Sequence, residues 1–187
     1  TVAQLRSGAV NEEGKASDVD LAATATIRLA GYVDAIEKAV GNAKHLGAHT
    51  GDELKLATIS SMKAETGKAE LSTDFTALTM KDGVITSCTI DALQAKVAFD
   101  GNGAVTTDLT APVKTKNELG FDYNMVNYGA KYEWFEQANF LAEFAVGKTV
   151  EELKAGAMGE TMDADLATRA TIYLGGYVNA IELAVGT

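Results

Sequence analysis

Apolar and polar residues alternate in four stretches between Leu54 and Asp108: KLATISSM (55–62), AELSTDFTALTM (69–80), VITSCTI (84–90) and AKVAFD (95–100). A period of two, with Thr, Val, Ile and Phe at the recurring positions, predicts half-buried strands arranged as an antiparallel meander. Lys81-Asp82-Gly83 and Asp100-Gly101-Asn102-Gly103 supply hairpin chemistry, because Asp, Asn and Gly tolerate the positive φ of tight primed turns. From Lys131 to Val146 the period lengthens to that of a helix. Trp134, Phe135, Ala138, Leu141, Ala142 and Ala145 share one apolar face, with Glu133, Glu136, Gln137 and Glu143 opposite. Phe140 and Phe144 fall among those polar residues, where each forgoes about 1.5 to 3 kcal/mol if left wet. Both are expected to be covered, either at a crowded edge of their own domain or as a docking face for another segment or a partner.

The chain carries one stretch twice. TVAQLRSGAVNEEGKASDVDLAATATIRLAGYVDAIEKAVGN begins at Thr1 and TVEELKAGAMGETMDADLATRATIYLGGYVNAIELAVGT begins at Thr149, aligned with one three-residue gap near Gly14. Between Asp18 and Gly41, 17 of 24 positions equal their partners from Asp163 to Gly186. A spacing this long exceeds that of solenoid repeats and points to duplication of a whole domain. Residues 1–45 then read as a half-domain, the tail of a preceding repeat or a docking segment, and residues 46–187 as a complete domain. Within each copy ATIRL or ATIYL alternates like a short strand, and GYVDAIEKAV or GYVNAIELAV follows with helical spacing. Tyr32, Val33, Ile36, Ala39 and Val40 share a face, as do Tyr177, Val178, Ile181, Ala184 and Val185. A helix of this length does not stand alone in water, so the first copy is expected to dock. The seat is a neighbour's sheet, a preceding repeat or its own chain, and Tyr32, Ile36, Phe140 and Phe144 are the candidate interface. The fold class expected is α+β: an antiparallel sheet packed by helices, with a duplicated strand-helix segment at both ends.

Charge removes several classes of partner. Sixteen Lys and Arg against 26 Asp and Glu give a net charge of -10, which opposes nucleic acid because phosphate contacts need clustered cations. No apolar run approaches the roughly 20 residues that span a bilayer, and the segment at Thr1 has neither the basic region nor the hydrophobic core of a signal peptide. The lone Cys88 lies on an alternating stretch and reads as a buried structural thiol. His45 and His49 have the spacing of a helical metal pair, but Gly47 between them reads as linker. Asp100, Asn102 and Asp108 resemble a calcium loop only in part, since Ala111 stands where its bidentate glutamate belongs. Glu151-Glu152, Asp163 and Asp165 flank helix starts and suit the helix dipole. No Ser-His-Asp or Cys-His set is suggested, so nothing here indicates an enzyme.

Pro112 opens a polar connection, APVKTKNELGFDYNM. Taken with TMKDGVITSCTIDALQAKVAFDGNGAVTTD, YEWFEQANFLAEFAVGKTVEEL and DADLATRATIYLGGYVNAIELAV, its KTKNELGFDYNM word resembles the FMN-binding-domain-like secreted proteins and lipoproteins of anaerobic Gram-positive bacteria. The resemblance covers about residues 54–187, and residues 1–42 again. It implies tandem modules in an extracellular or cell-envelope location, with relatives that serve electron transfer. Relatives with covalent flavin esterify a threonine in a Ser/Thr-Gly-Ala-Thr word. The nearest words here are Ser7-Gly8-Ala9-Val10 and Ala155-Gly156-Ala157-Met158, and neither ends in a hydroxyl residue. The resemblance therefore implies noncovalent FMN, with Lys114 and Lys116 at the phosphate and Tyr123 or Trp134 stacked on the ring. Two functions follow as expectations: a non-catalytic surface module that binds flavin for extracellular electron transfer, or a structural, self-associating repeat protein without cofactor.

Overall fold

Side-chain caps start the first two helices of residues 1–45. The computed structural model describes residues 1–186 and divides into the units Thr1–His45 and Leu46–Thr187. In the first unit α1 (Val2–Ala9) starts at a Thr1–Gln4 capping box, α2 (Val19–Thr24) is capped by Asp18, and α3 (Ala30–Asn42) follows. Gly14 turns the intervening loop at φ 77°, and its carbonyl accepts from the Leu29 and Ala30 amides at 2.7 and 3.3 Å, tying the loop to the start of α3. Arg6 on α1 pairs with Asp34 at 2.7 Å and with Glu37, both on α3.

The second unit is α+β. β1 (Glu53–Glu65), β2 (Lys68–Lys81) and β3 (Val84–Ala98) form an antiparallel meander in the order β1-β2-β3. Asp82 and Gly83 join β2 to β3 with φ of 51° and 80°, the paired positive values of a two-residue primed turn. Five further helices follow: α4 (Lys116–Leu119), α5 (Trp134–Ala145), α6 (Val150–Met158), α7 (Ala164–Arg169) and α8 (Gly175–Val185). They cover one face of the sheet. Leu78, Ile85 and Ile90 meet Trp134, Leu141, Leu153, Leu166, Val178 and Ile181 in a single core, and α8 lies on β1 and β2. The opposite face stays open at Leu54, Leu56 and Met62.

Three sequence expectations change. VITSCTI and AKVAFD belong to one strand, because Asp91 to Gln94 stays in register with β2 (Asp74 opposite Ala92, Ser72 opposite Gln94) and nothing turns the chain. The loop at Asp100 leads into no further strand: Asp100 Oδ1 accepts from the Asn102 and Ala104 amides, both at 2.9 Å, and the pairing ends at a single Phe99–Val105 bridge. The duplicated segment is helical throughout apart from irregular links, so its strand-helix description is corrected; neither ATIRL nor ATIYL is a strand. In the second copy the reason is Gln137 on α5, whose Oε1 accepts from the Thr171 and Ile172 amides at 2.7 and 3.1 Å and takes the place of a strand partner.

Candidate functional site

Lys116 is where three of the four predicted cofactor residues converge. A capping box between Thr115 and Glu118 starts α4 (Thr115 amide to Glu118 Oε2, 2.9 Å). Asn117 then clips the turn to β3, its amide donating to Asp91 Oδ1 at 3.1 Å and its side chain to the Ile90 carbonyl at 2.9 Å. This aims Lys116 inward. The residue is 8% exposed, with Nζ 5.0 Å from the Tyr123 ring centre and 4.9 Å from that of Trp134. Burial lowers its pKa, and Asp74 and Glu70 oppose the shift without cancelling it. Burial raises the Asp74 carboxyl, against the pull of Lys116. The Tyr123 hydroxyl donates to Gln94 Oε1 at 3.0 Å, and Trp134 Nε1 donates to the Tyr177 hydroxyl at 3.0 Å. Burial pushes the Tyr177 phenol up to about 12.

These side chains complete one another. Trp134 is 2% exposed and edge-on to Tyr177, with ring centres 5.7 Å apart. It offers no free face for stacking, and a phosphate at Lys116 would meet Asp74 and Glu70. The cluster fits an internally satisfied cation–π site and does not fit a noncovalent FMN. Lys114 is exposed and joins none of these contacts. His45 and His49 fall in different units. Gly47 serves a close approach: at φ 111°, a Cβ there would lie 2.6 Å from the Thr86 carbonyl oxygen. Among the described residues no group of three or more His, Cys, Asp or Glu is placed to hold a metal, and no helix is long and apolar enough to cross a membrane.

The predicted interface residues divide. Phe140 is half-buried between the Tyr132 ring, at 5.4 Å, and the Arg169 guanidinium, at 5.0 Å. Phe144 lies under Lys148 Nζ at 3.9 Å and against Gly156, where a Cβ would come within 2.6 Å of its ring. Much of that cover comes from α6 and α7, within the second copy. Tyr32 and Ile36 are 62% and 45% exposed, and Val40, one turn beyond Ile36, is 60% exposed.

Local detail matches between the copies. Thr149 and Glu152 repeat the capping box of Thr1 and Gln4, and Asp163 caps α7 as Asp18 caps α2. Lys154 pairs with Glu182 at 2.7 Å where Arg6 pairs with Glu37. Two polar residues with structural roles were not identified from the sequence. Glu133, 3% exposed, accepts from the Met125 and Val126 amides at 2.8 and 3.1 Å, and Gln137, 1% exposed, clamps the link from α7 to α8. The helical wheel held a signal for Gln137, which falls about 40° from Leu141 and about 20° from Phe144. Comparison of the chain with protein-family models, with curated proteins and with solved structures finds no match in any of the three.

Proposed function

We propose that this chain is a non-catalytic, structural piece of a repeat-built cell-surface protein whose units assemble through the duplicated helical segment without a cofactor. One contrast in burial carries the reading. Tyr177 and Ile181 are 8% and 0% exposed, whereas Tyr32 and Ile36, at the same helical positions, are 62% and 45% exposed. The surface location follows from the family resemblance.

Covering what remains exposed of Tyr32, Ile36 and Val40 is worth about 1 kcal/mol each, or about 3 kcal/mol together. Bringing two free molecules together costs about 4 to 15 kcal/mol. The face therefore suits a neighbour on the same chain, where a linker supplies an effective concentration on the order of millimolar, and is too small to join separate molecules. Sedimentation velocity of a tandem chain, with a further copy of residues 46–148 joined ahead of Thr1 to supply a vacant seat, tests this. The tandem is expected to sediment as a compact monomer and its Ile36→Asp variant as a more extended one; identical profiles would refute assembly through this face. Flavin bands in the visible spectrum of protein from its native source would refute the cofactor-free part and restore the electron-transfer reading.

A further inference from the structure

Resting on that repeat reading, we infer that the bare α3 face takes one defined surface, the helix-covered face of a sheet unit built like residues 46–148. The chain's own sheet is a competent acceptor, so α3 and α8 are alternative occupants of one seat.

The first copy keeps features that have no use within its own unit. Gly156 lets the Phe144 ring approach closely, since a Cβ there would lie 2.6 Å from it and force a shift, yet at its equivalent, Gly8, nothing lies within 4 Å. Gly176 passes Asp74, whose Oδ2 would be 3.2 Å from a Cβ, yet at Gly31 nothing lies within 4 Å. Glycine inside a helix is a liability unless something approaches closely. Tyr177 receives the Trp134 indole N–H at 3.0 Å, whereas its equivalent Tyr32 is 62% exposed. The Thr171 and Ile172 amides donate to Gln137, and the amides of Thr26 and Ile27 have no corresponding acceptor among the described residues. The surface that the first copy fits, through α1, the link and α3 together, thus presents a phenyl ring, a carboxylate, an indole N–H and an amide oxygen arranged like Phe144, Asp74, Trp134 and Gln137. A generic apolar patch does not supply that set.

The connection permits exchange within one molecule. Val185, near the end of α8, lines the same cleft of about 460 Å³ as Gly51 and Glu53 at the start of β1. Its equivalent Val40 precedes Gly51 by 11 residues, a reach of about 36 Å when extended. α3 departs from α8 at three positions: Lys38 stands where Leu183 is 56% exposed, Asp34 where Asn179 is exposed, and Ala30 at buried Gly175, where a Cβ would lie 2.5 Å from the hydroxyl of Tyr173, a residue that Arg28 replaces in the first copy.

Full-length variants decide the matter, with the single Trp134 as fluorescent reporter of the seat. Ile36→Asp alone is expected to keep the wild-type emission and urea midpoint. Ile181→Asp is expected to keep a blue-shifted emission and a cooperative transition at a lower midpoint, because the first copy takes the place of the second. Ile36→Asp with Ile181→Asp is expected to lose both. Gly31→Leu is expected to be silent alone and to abolish the rescue when added to Ile181→Asp, since a side chain there meets Asp74. Indistinguishable Ile181→Asp and double variants, folded or unfolded, would overturn the inference, as would an intact rescue with Gly31→Leu. Either result leaves the sedimentation test of assembly standing, so the two readings fail separately.

Discussion

Gln137→Ala is the sharpest test of how the second copy is held. The side chain is 1% exposed; its Nε2 donates to the Tyr132 carbonyl at 2.8 Å, and its Oε1 accepts from the Thr171 amide at 2.7 Å, the Thr171 hydroxyl at 3.2 Å and the Ile172 amide at 3.1 Å. Thr171 is exposed, so water replaces much of what it loses, whereas Ile172 and Tyr132 are half-buried. Two stranded groups at about 1 to 3 kcal/mol each, with a contribution from the cavity, give an expected loss of about 3 to 5 kcal/mol. That is a large share of the stability of an ordinary domain. Urea unfolding followed by Trp134 fluorescence measures the loss, and amide hydrogen exchange locates it. Thr171 and Ile172 are expected to exchange more slowly than Thr26 and Ile27 in the wild type, and at similar rates in the variant. Gln137→Met fills the cavity without the polar atoms and is expected to recover only the packing share. A Gln137→Ala protein within about 1 kcal/mol of wild type would refute the clamp.

Matched glycines give a second contrast. Gly8→Ala meets nothing within 4 Å and is expected to stabilise α1 slightly, by about 0.5 to 1 kcal/mol, whereas Gly156→Ala places a methyl 2.6 Å from the Phe144 ring and is expected to destabilise; thermal melts of both variants read the signs. Cys88 is 6% exposed and burial pushes its thiol up to about 12, so a thiol-directed chromogenic reagent is expected to react only after unfolding. Alkaline stability follows with a definite sign. The Cys88 and Tyr177 groups, ordinarily near 9.0 and 10.0, are each pushed to about 12 by burial, so the folded chain holds protons that the unfolded chain releases. Their stabilisation is complete below pH 9 and is lost as pH rises through 12, by about 4 kcal/mol for the thiol and about 3 for the phenol. Urea midpoints across this range measure it, and Cys88→Ala is expected to delay the onset to about pH 10; an onset unchanged from wild type would refute the assignment.

Local chemistry was legible where a feature is completed by its neighbours in sequence. Asp82 and Gly83 form the expected hairpin, and the apolar arc of α5 buries Trp134, Ala138, Leu141, Ala142 and Ala145 as the period requires. Features completed at long range were not. The run from Asp91 to Gln94 lacks β-branched residues, yet Ala92 continues the burial of Cys88 and Ile90 because β2 runs long enough to pair with it. ATIYL alternates like a strand, but its Thr171 and Ile172 amides are satisfied by the side chain of Gln137, far back in the sequence on α5. Lys116 was legible as a singular residue and not as a buried one, because its direction is set by the Asn117 bonds to β3.

The pattern of identity between the two copies argues for a shared seat more strongly than their overall likeness does. From Asp163 to Gly186 the buried residues are Leu166, Ala170, Leu174, Gly175, Tyr177, Val178, Ala180 and Ile181, and all but Gly175 recur unchanged in the first copy. Seven positions differ across this stretch, and six of them are exposed in the second copy. Identity thus tracks the surroundings of α7 and α8. It does not track those of the first unit, where Tyr32, Ala35 and Ile36 are exposed and only Val33 of α3 is buried. Helix propensity does not account for this, since Tyr, Val and Ile are indifferent helix formers and Gly31 a poor one. A surface that sorts residues by contact with β1, β2 and α5 does account for it.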